Sequence, residues 1–259
     1  MKKKVAGRNK MNRFSKIGIS AVAAFATIVL CLNALPSLAR AADSVPVLST
    51  IVDALTFGRF SGQDGRSGYD ITVPQITGLS DTELEDALNE LLLSNANAVL
   101  DAYDAALAEI KQNYPKLGVR YLHGYNVLAN NDRFFTLKVW TTVIMAGANQ
   151  INSYYTIDKR TDKLLTLPEL FKQDVDYVTP VSACIKQQME KKNAEYSNVY
   201  HTDEFTAIRS DQNFFINADG LLVIEFDEYE VAAGYAGTPQ FTIPYDVIAD
   251  IANKDILGA

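Results

Sequence analysis

Cysteine and histidine are scarce in this chain of 259 residues, which has two of each. Cys31 lies within an apolar run, which argues against a disulfide with Cys184, and two cysteines exclude a disulfide-rich scaffold. The two histidines, His123 and His201, are too few for most histidine-rich metal sites. We therefore predict no bound metal and a fold that depends on a hydrophobic core, to which 13 Tyr and 12 Phe contribute.

Motifs for nucleotide binding and for hydrolysis are also missing. The chain has neither G-x-x-x-x-G-K-[ST] nor G-x-G-x-x-G, and it has no G-x-S-x-G elbow. The neighbouring acids Asp227, Glu228 and Glu230 do not establish the two separated carboxylates of a glycosidase. We expect no catalytic residue, no cofactor and no enzymatic activity.

The charge of the chain is unevenly distributed. Residues 1–40 contain eight basic residues and no acidic one, so the other 16 basic residues share positions 41–259 with all 31 acidic residues, a net charge of −15. A body this acidic repels nucleic acid and anionic lipid. It favours cationic protein partners instead, and no nucleic-acid partner is expected.

An apolar run at residues 17–35 predicts a transmembrane helix or signal anchor. Nineteen helical residues extend about 28 Å, enough for the hydrocarbon core of a bilayer. Residues 1–16 form a short basic segment, which places the N-terminus in the cytoplasm and the rest of the chain outside the cell membrane.

Two interpretations of this N-terminal region remain open. Ala39-Arg40-Ala41 fits the A-x-A pattern of a signal-peptidase site, with cleavage after Ala41. The apolar run is longer than a usual signal core, so a retained anchor is equally plausible. Residues 36–68 are interpreted as a membrane-proximal segment, amphipathic over residues 42–60 and followed by a flexible loop at Ser61–Gly68.

Residues 69–259 are predicted to form a single extracytoplasmic α+β domain. Pro74 indicates that Tyr69–Val73 is an edge strand. Ser80 and Glu83 match a capping box that opens a helix over Asp81–Gln112. Its apolar stripe is expected to pack on the domain's own sheet. The stripe comprises Leu84, Leu88, Leu91, Val99, Ala102, Ala106 and Ile110.

Alternating apolar residues and turn signals predict the remaining elements. The order of elements favours a mainly antiparallel sheet packed by helices. Trp140 breaks the alternation of its strand and is assigned to covering a helix. The predicted strands lie at Val119–Leu128, Arg133–Met145, Ile151–Ile157, Phe214–Ile216, Leu221–Phe226 and Phe241–Ile243, and the predicted helices at Val175–Asn193 and Tyr245–Ala252.

The segment Asp227–Pro244 (DEYEVAAGYAGTPQFTIP) resembles the C-terminal signature of RsiV-type anti-sigma factors and of related cell-surface domains of unknown function. Further segments resemble the same family in order along the chain. They are Val45–Val52 with Leu55–Phe57, Ile76–Asn89, Tyr155–Asp162 with Leu164–Lys172, and Asp211–Ile216.

This resemblance implies a single-pass membrane protein that holds an extracytoplasmic-function (ECF) sigma factor inactive. The ectodomain of the family is a receptor for lysozyme, a cationic protein. Bound lysozyme lets signal peptidase cut near the membrane, here with Ala39 and Ala41 as recognition residues. An intramembrane protease then cuts the membrane helix, and the freed sigma factor turns on a stress response.

The resemblance also indicates where lysozyme binds. The loop after Glu230 contains two glycines and a tyrosine, a residue common at the centre of interfaces. The tip Ala146–Asn149 corresponds to a second loop that faces the ligand. The candidate ligand-binding residues are Ala146, Gly147, Ala148, Asn149, Ala232, Ala233, Gly234, Tyr235, Ala236 and Gly237.

Two departures from the family pattern keep a second interpretation open. The family usually has Pro where this chain has Ala233, and its cytoplasmic part is longer than residues 1–16. The alternative is a surface or secreted lysozyme-binding protein or inhibitor without sigma regulation. An enzyme is disfavoured, because the separate metal-bearing domain of related polysaccharide deacetylases has no counterpart here.

Overall fold

Nine strands form two sheets in the computed structural model, which describes residues 52–196 and 199–257. The strands are β1 (Asp53–Asp64), β2 (Ser67–Thr77), β3 (Arg120–Asn130), β4 (Phe134–Ile144), β5 (Ala148–Asp158), β6 (Lys163–Leu164), β7 (Phe214–Ile216), β8 (Leu222–Glu225) and β9 (Gln240–Ile243). The helices are α1 (Thr82–Asn113), α2 (Val178–Tyr196), α3 (Tyr245–Ile248) and α4 (Lys254–Leu257), with 3-10 turns at Pro168–Leu170 and Gly234–Ala236.

The predictions for the N-terminal region lie outside the described residues. They are the basic segment 1–16, the span 17–35, and Ala39 and Ala41. Within the ranges that are described, the helices are too short or too polar to cross a bilayer.

The larger sheet has the order β1-β2-β3-β4-β5-β6, and the smaller has the order β7-β8-β9. Neighbouring strands are antiparallel except β2 and β3, which run parallel from Gly68 opposite Arg120 to Ile71 opposite His123. The long helix α1 connects these two strands, as parallel pairing requires a crossover. The α+β class and the mainly antiparallel pairing are confirmed, but the strands divide into two sheets rather than one.

The predicted long helix is confirmed, with its cap displaced by one residue. Asp81 Oδ1 accepts the N–H of Leu84 at 3.0 Å, and Glu85 Oε2 accepts the N–H of Leu79 at 2.8 Å. Asp81 is therefore the N-cap, and the predicted reciprocal box of Ser80 and Glu83 is replaced by this cap and by the separate bond from Glu85 to the chain before the helix. Ser80 is instead held by its own N–H, which donates to Asp162 Oδ2 at 2.5 Å.

One face of α1 packs on the larger sheet, as expected. Leu91 and Ala102, which the sequence analysis placed on this face, are only partly buried. The buried face instead follows a slightly different line around the helix, at spacings of three and four. It comprises Leu84, Leu88, Leu92, Asn95, Ala96, Val99, Tyr103, Ala106 and Ile110.

The start of the described chain is a β-hairpin, which corrects two predictions. Within the predicted amphipathic segment, residues from Asp53 onwards form β1, and the predicted loop Ser61–Gly68 belongs to β1, β2 and their tight turn. Gly65 makes this turn with a φ of 58°. The predicted boundary between the membrane-proximal segment and the ectodomain, after residue 68, therefore falls within this hairpin.

Strand β2 is also not an edge strand, because β1 covers it on one side and β3 on the other. Pro74 is tolerated because it lies opposite Thr56, where the register of β1 shifts around Phe57. A proline without an N–H at a bulge removes little from the hydrogen-bond ladder.

The smaller sheet packs against α2 around a second core. Val181, Ile185 and Met189 of α2 are buried there, together with Ile224 of β8 and Phe241 of β9. The predicted terminal helix Tyr245–Ala252 is helical only over α3, and Ala252 at its predicted end forms a β-bridge with Phe171. The last helix, α4, lies beyond the predicted range. The other predicted strands are confirmed within a few residues at each end.

The smaller sheet lies on the face of the larger sheet that α1 does not cover. Thr136 Oγ1 of β4 donates to the carbonyl of Ile216 in β7 at 2.9 Å. The rings of Tyr154 in β5 and Phe215 in β7 stack with centroids 4.8 Å apart. The junction of the two sheets therefore lies along β4 and β5, next to the loop between β8 and β9.

Candidate ligand-binding surface

A buried carboxylate fixes the base of the loop between β8 and β9. Glu225, the last residue of β8, is fully buried. Its Oε1 accepts Asn152 Nδ2 at 2.7 Å, and its Oε2 accepts Gln240 Nε2 at 2.7 Å and the hydroxyl of Tyr154. These bonds join β5, β8 and β9, so they hold the ends of the loop against the larger sheet.

A lysine shares this junction with Glu225. Lys138 Nζ of β4 lies 3.9 Å from Glu225 Oε2, with little of the side chain exposed. Burial lowers the pKa of Lys138, although the charge of Glu225 opposes this shift. Burial, followed by the charge of Glu225, raises the pKa of the Tyr154 hydroxyl, which therefore stays protonated and donates.

Two tyrosines of the loop at residues 227–238 are exposed to solvent. Tyr229 is 69% exposed and Tyr235 is 78% exposed. Tyr229 has a φ of 68°, unusual for a residue other than glycine, and its ring lies against Gly234. A Cβ at Gly234 would come within 2.3 Å of Tyr229 Cζ, so only glycine permits this contact.

The acidic residues of the loop hold its first turn. Glu230 Oε2 accepts the N–H of Asp227 at 2.9 Å, and Glu230 Oε1 accepts a guanidinium N–H of Arg209. Removal from water, followed by the charge of Glu230, raises the pKa of Asp227. Asp227 therefore loses its negative charge at a higher pH than an ordinary surface aspartate.

The structure brings the two predicted ligand-binding segments together. Glu228 Oε1 accepts the N–H of Gln150 at 3.2 Å, which ties the loop to the start of β5. The tip just before Gln150 is tight, with the N–H of Met145 donating to the carbonyl of Gly147 at 2.8 Å. Desolvation raises the pKa of Glu228, partly offset by the Gln150 hydrogen bond. One surface thus contains the loop with its carboxylates and the tip between β4 and β5.

The predicted residues differ in how much surface they offer. Ala146, Gly147 and Ala148 are exposed, while Asn149 is half-buried within β5. Ala233, Gly234, Ala236 and Gly237 are also half-buried. Ala232 is buried and forms a β-bridge with Tyr200, so its side chain presents no surface to a ligand.

Tyr229 is not among the ligand-binding residues predicted from the sequence. The structure exposes this side chain to solvent, on the same loop as Tyr235. The pattern Tyr-x-x-x-x-Gly-Tyr at residues 229–235 is the sequence feature that could have indicated this role, since the glycine leaves room for the first tyrosine ring. No pattern in the sequence indicates that Glu228 reaches a strand 78 residues away.

The described residues hold no group of three or more His, Cys, Asp or Glu side chains placed to bind a metal ion. His123 is buried, with Nδ1 2.8 Å from Thr141 Oγ1. Burial lowers the pKa of His123 to about 4, so the ring is neutral at physiological pH. The loop and tip offer aromatic faces, carboxylates and backbone, which suit recognition of a protein.

A family model described as a protein of unknown function, DUF3298, matches residues 168–246. The chain is 34% identical over 238 residues to the anti-sigma-V factor RsiV of Bacillus subtilis, covering 90% of this chain and 82% of that protein. It is 25% identical over 114 residues to the peptidoglycan-N-acetylmuramic acid deacetylase PdaC of the same organism. That match covers 43% of this chain and 24% of PdaC.

Two solved structures share the fold. A DUF3298 family protein from Bacteroides fragilis superposes with a TM-score of 0.61 at 14% identity, over 81% of this chain and 96% of that one. A DUF3298 family protein from Pseudomonas aeruginosa superposes with a TM-score of 0.54 at 15% identity, over 83% and 97%. At these identities the likeness concerns the fold alone.

Proposed function

The chain belongs to the RsiV family of anti-sigma factors, and on that premise we propose that residues 52–257 form a receptor for lysozyme. In this proposal residues 17–35 anchor the chain in the membrane with its N-terminus in the cytoplasm. Bound lysozyme permits signal peptidase to cut after Ala41. An intramembrane protease then cuts the membrane helix, and an ECF sigma factor is released.

The observation that carries the proposal is the pair of exposed tyrosines on a loop fixed to the tip of β4 and β5. Exposed hydrophobic residues are individually common, but Tyr229 and Tyr235 belong to one loop, where the Tyr229 ring lies against Gly234, the residue before Tyr235. Glu225 holds the ends of this loop. A tyrosine loses little conformational entropy on binding and offers a large contact area. Such residues dominate the energy of protein interfaces.

Charge supports a cationic ligand. Asp227, Glu228 and Glu230 belong to the same loop, and residues 41–259 carry a net charge of −15. Lysozymes of host defence are typically basic, so their encounter with this surface is electrostatically favoured. Charge alone accelerates association more than it discriminates between partners, so specificity is assigned to the tyrosines and the backbone of the tip.

The proposed cleavage site precedes β1 in the chain, and β1 is the edge strand of the larger sheet that lies far from the loop at residues 227–238. Asp53, the first residue of β1, lies twelve positions after Ala41. The loop at residues 227–238, here called the tyrosine loop, contacts β5. Strand β5 lies four strands away from β1 in the sheet, a separation of about 19 Å at ~4.8 Å per strand.

The first test measures binding of the full-length chain in lipid nanodiscs to a basic lysozyme at about 0.15 M salt, where the Debye length is about 8 Å. A basic protein of similar size and unrelated fold is the control ligand. We expect tight binding to lysozyme alone. Equal weak binding to both ligands would mean that only net charge is recognised, which would contradict the receptor proposal.

Variants of the loop sharpen this test. We expect Tyr235→Ala to weaken lysozyme binding about tenfold or more, which corresponds to at least about 1.4 kcal/mol. Phe57→Ala is the matched control, since Phe57 is an exposed aromatic residue on β1, away from the loop. Equal losses for the two variants would argue that the loop is not the binding surface.

Proteolysis is tested in membranes that contain the full-length chain. Lysozyme is expected to produce a fragment cut after residue 41, and Ala41→Tyr is expected to abolish it, because signal peptidase requires a small residue there. A reporter of the released ECF sigma factor is followed in the same cells. Lysozyme binding without any change in the reporter would favour the alternative, a lysozyme-binding protein without sigma regulation.

A further inference from the structure

The part of the larger sheet that neither α1 nor the smaller sheet covers forms an open polar groove. Its volume is about 570 Å³, and it crosses β1, β2, β3 and β4. Four adjacent strands extend over about 14 Å, which exceeds the size of a single sugar or amino acid. The side chains that matter here are Arg59, Asp70, Thr72, Leu122, Asn126 and Trp140.

Trp140 lies in this groove and does not cover a helix, which corrects the sequence-based assignment. Its neighbour Val139 packs against the helix-covered face, so Trp140 points to the opposite face. Trp140 pairs across the strands with Gly124, where a Cβ would come within 2.7 Å of Trp140 Cζ2. The glycine therefore allows the indole to lie across β3.

A hydrogen bond fixes the indole in this position. Trp140 Nε1 donates to Asn126 Oδ1 at 3.0 Å, which satisfies the indole N–H and orients the amide. Within residues 52–196 and 199–257 the Asn126 Nδ2 group has no hydrogen-bond partner, so it is left to donate to a ligand. The groove thus has an aromatic platform whose orientation is set before any ligand arrives, as in many small-molecule sites.

Two residues of opposite charge line the groove on β1 and β2, and they do not form an ion pair with each other. Arg59 and Asp70 lie on the same face of the β1–β2 hairpin, where Arg59 pairs with Thr72 and Ser61 with Asp70. Among the described residues neither side chain forms a hydrogen bond or an ion pair. A strongly anionic ligand would meet Asp70, and a strongly cationic ligand would meet Arg59.

We propose that this groove binds a neutral glycan chain. Each hydroxyl of a sugar both donates and accepts, so it can donate to Asp70 and accept from Arg59 or Asn126. The flat C–H face of a pyranose ring stacks on an aromatic side chain, here Trp140. Leu122 supplies an apolar neighbour to the platform. The site is distinct from the tyrosine loop and requires no lysozyme.

The chain contains one tryptophan, so its fluorescence reports directly on the groove. The experiment titrates full-length protein in nanodiscs with chitotetraose and, separately, with cellotetraose, neutral glycans with and without acetamido groups. We expect a saturable change in Trp140 emission with at least one of them. The absence of a saturable change with both would overturn the proposal.

Variants separate a specific site from a nonspecific response. Arg59→Ala and Asp70→Ala change exposed side chains, retain the fluorophore, and are each expected to weaken glycan binding about fivefold to tenfold. Gly124→Ala is expected to weaken it further by displacing the indole. Tyr196→Ala, an exposed aromatic on α2, is the control and should leave the titration unchanged. Equal binding by Arg59→Ala, Asp70→Ala and the unaltered protein would contradict the assigned contacts.

A protein ligand in the groove is the rival outcome. If neither glycan binds and Trp140→Ala weakens lysozyme binding about tenfold, the groove belongs to the lysozyme surface and the glycan proposal is wrong. Because the glycan titration contains no lysozyme and the Tyr235→Ala test contains no glycan, failure of one proposal leaves the other standing.

Discussion

The two faces of the larger sheet are built from opposite chemistry. On one face, Leu88 and its neighbours on α1 pack against Leu137, Val139 and other apolar side chains. On the other face, Thr136, Lys138 and Asn152 meet the smaller sheet through hydrogen bonds and a buried charge. The first contact gains stability from any well-packed apolar group, whereas the second requires each polar partner to be in place.

This difference bears on function. Apolar packing tolerates small displacements, while a hydrogen-bonded junction fixes one relative position of its partners. Both ends of the tyrosine loop are held at the polar junction, since Glu225 lies two residues before the loop and Gln240 lies two residues after it. The polar face therefore positions the proposed lysozyme surface, and the apolar face contributes to stability through packing.

Breaking the polar junction should have the largest effect. Glu225→Ala leaves Lys138 buried and without its carboxylate, and we expect it to lower the free energy of unfolding by about 4 kcal/mol. Chemical denaturation measures this change. Lys111→Ala is the control, because its ion pair with Asp64 is half-exposed and should contribute less than about 1 kcal/mol. Similar losses in the two variants would contradict a special role for the junction.

Truncation of a side chain on the apolar face should lower the free energy of unfolding somewhat less than Glu225→Ala does. Leu88 of α1 is fully buried against the larger sheet, and Leu88→Ala is expected to lower the free energy of unfolding by about 3 kcal/mol through lost burial and a cavity. The same substitution at Leu55, a residue that is 54% exposed on β1, should change it by less than about 0.5 kcal/mol. If lysozyme binding is positioned by the polar face, folded Leu88→Ala should retain its affinity.

The third expected effect develops only below neutral pH. Burial lowers the pKa of His123 from 6.5 to about 4, so the unfolded chain binds a proton there before the folded chain does. Stability should therefore fall as the pH decreases from 6.5 towards 4, by at most about 1.4 kcal/mol per pH unit from this residue.

The slope of stability against pH is the quantity to compare for this prediction. His123→Gln should remove part of the slope between pH 6.5 and 4.5, whereas His201→Gln, at an exposed position, should leave it unchanged. An unchanged slope in His123→Gln would show that the histidine is not held neutral by burial.

Much of the fold could be predicted from the sequence because its signals are local. The periodicity of α1 depends on residues three and four apart, and the alternation in β4 depends on residues two apart. The hairpins at Asn131 and at Asn217–Gly220 carry turn residues whose side chains bond to nearby backbone. Local signals failed for β1, whose exposed residues lack a clear alternation.

The sequence by itself determined the acidic charge of residues 41–259, the long helix, most strands and, through resemblance, the family. Only the tertiary structure decided that the strands divide into two sheets, that Glu228 reaches the tip of β4 and β5, and that Trp140 lies in an open groove. The reason is physical. A helix or a turn depends on neighbours within a few residues, whereas Asn152 and Glu225, 73 residues apart, meet only after both sheets have formed.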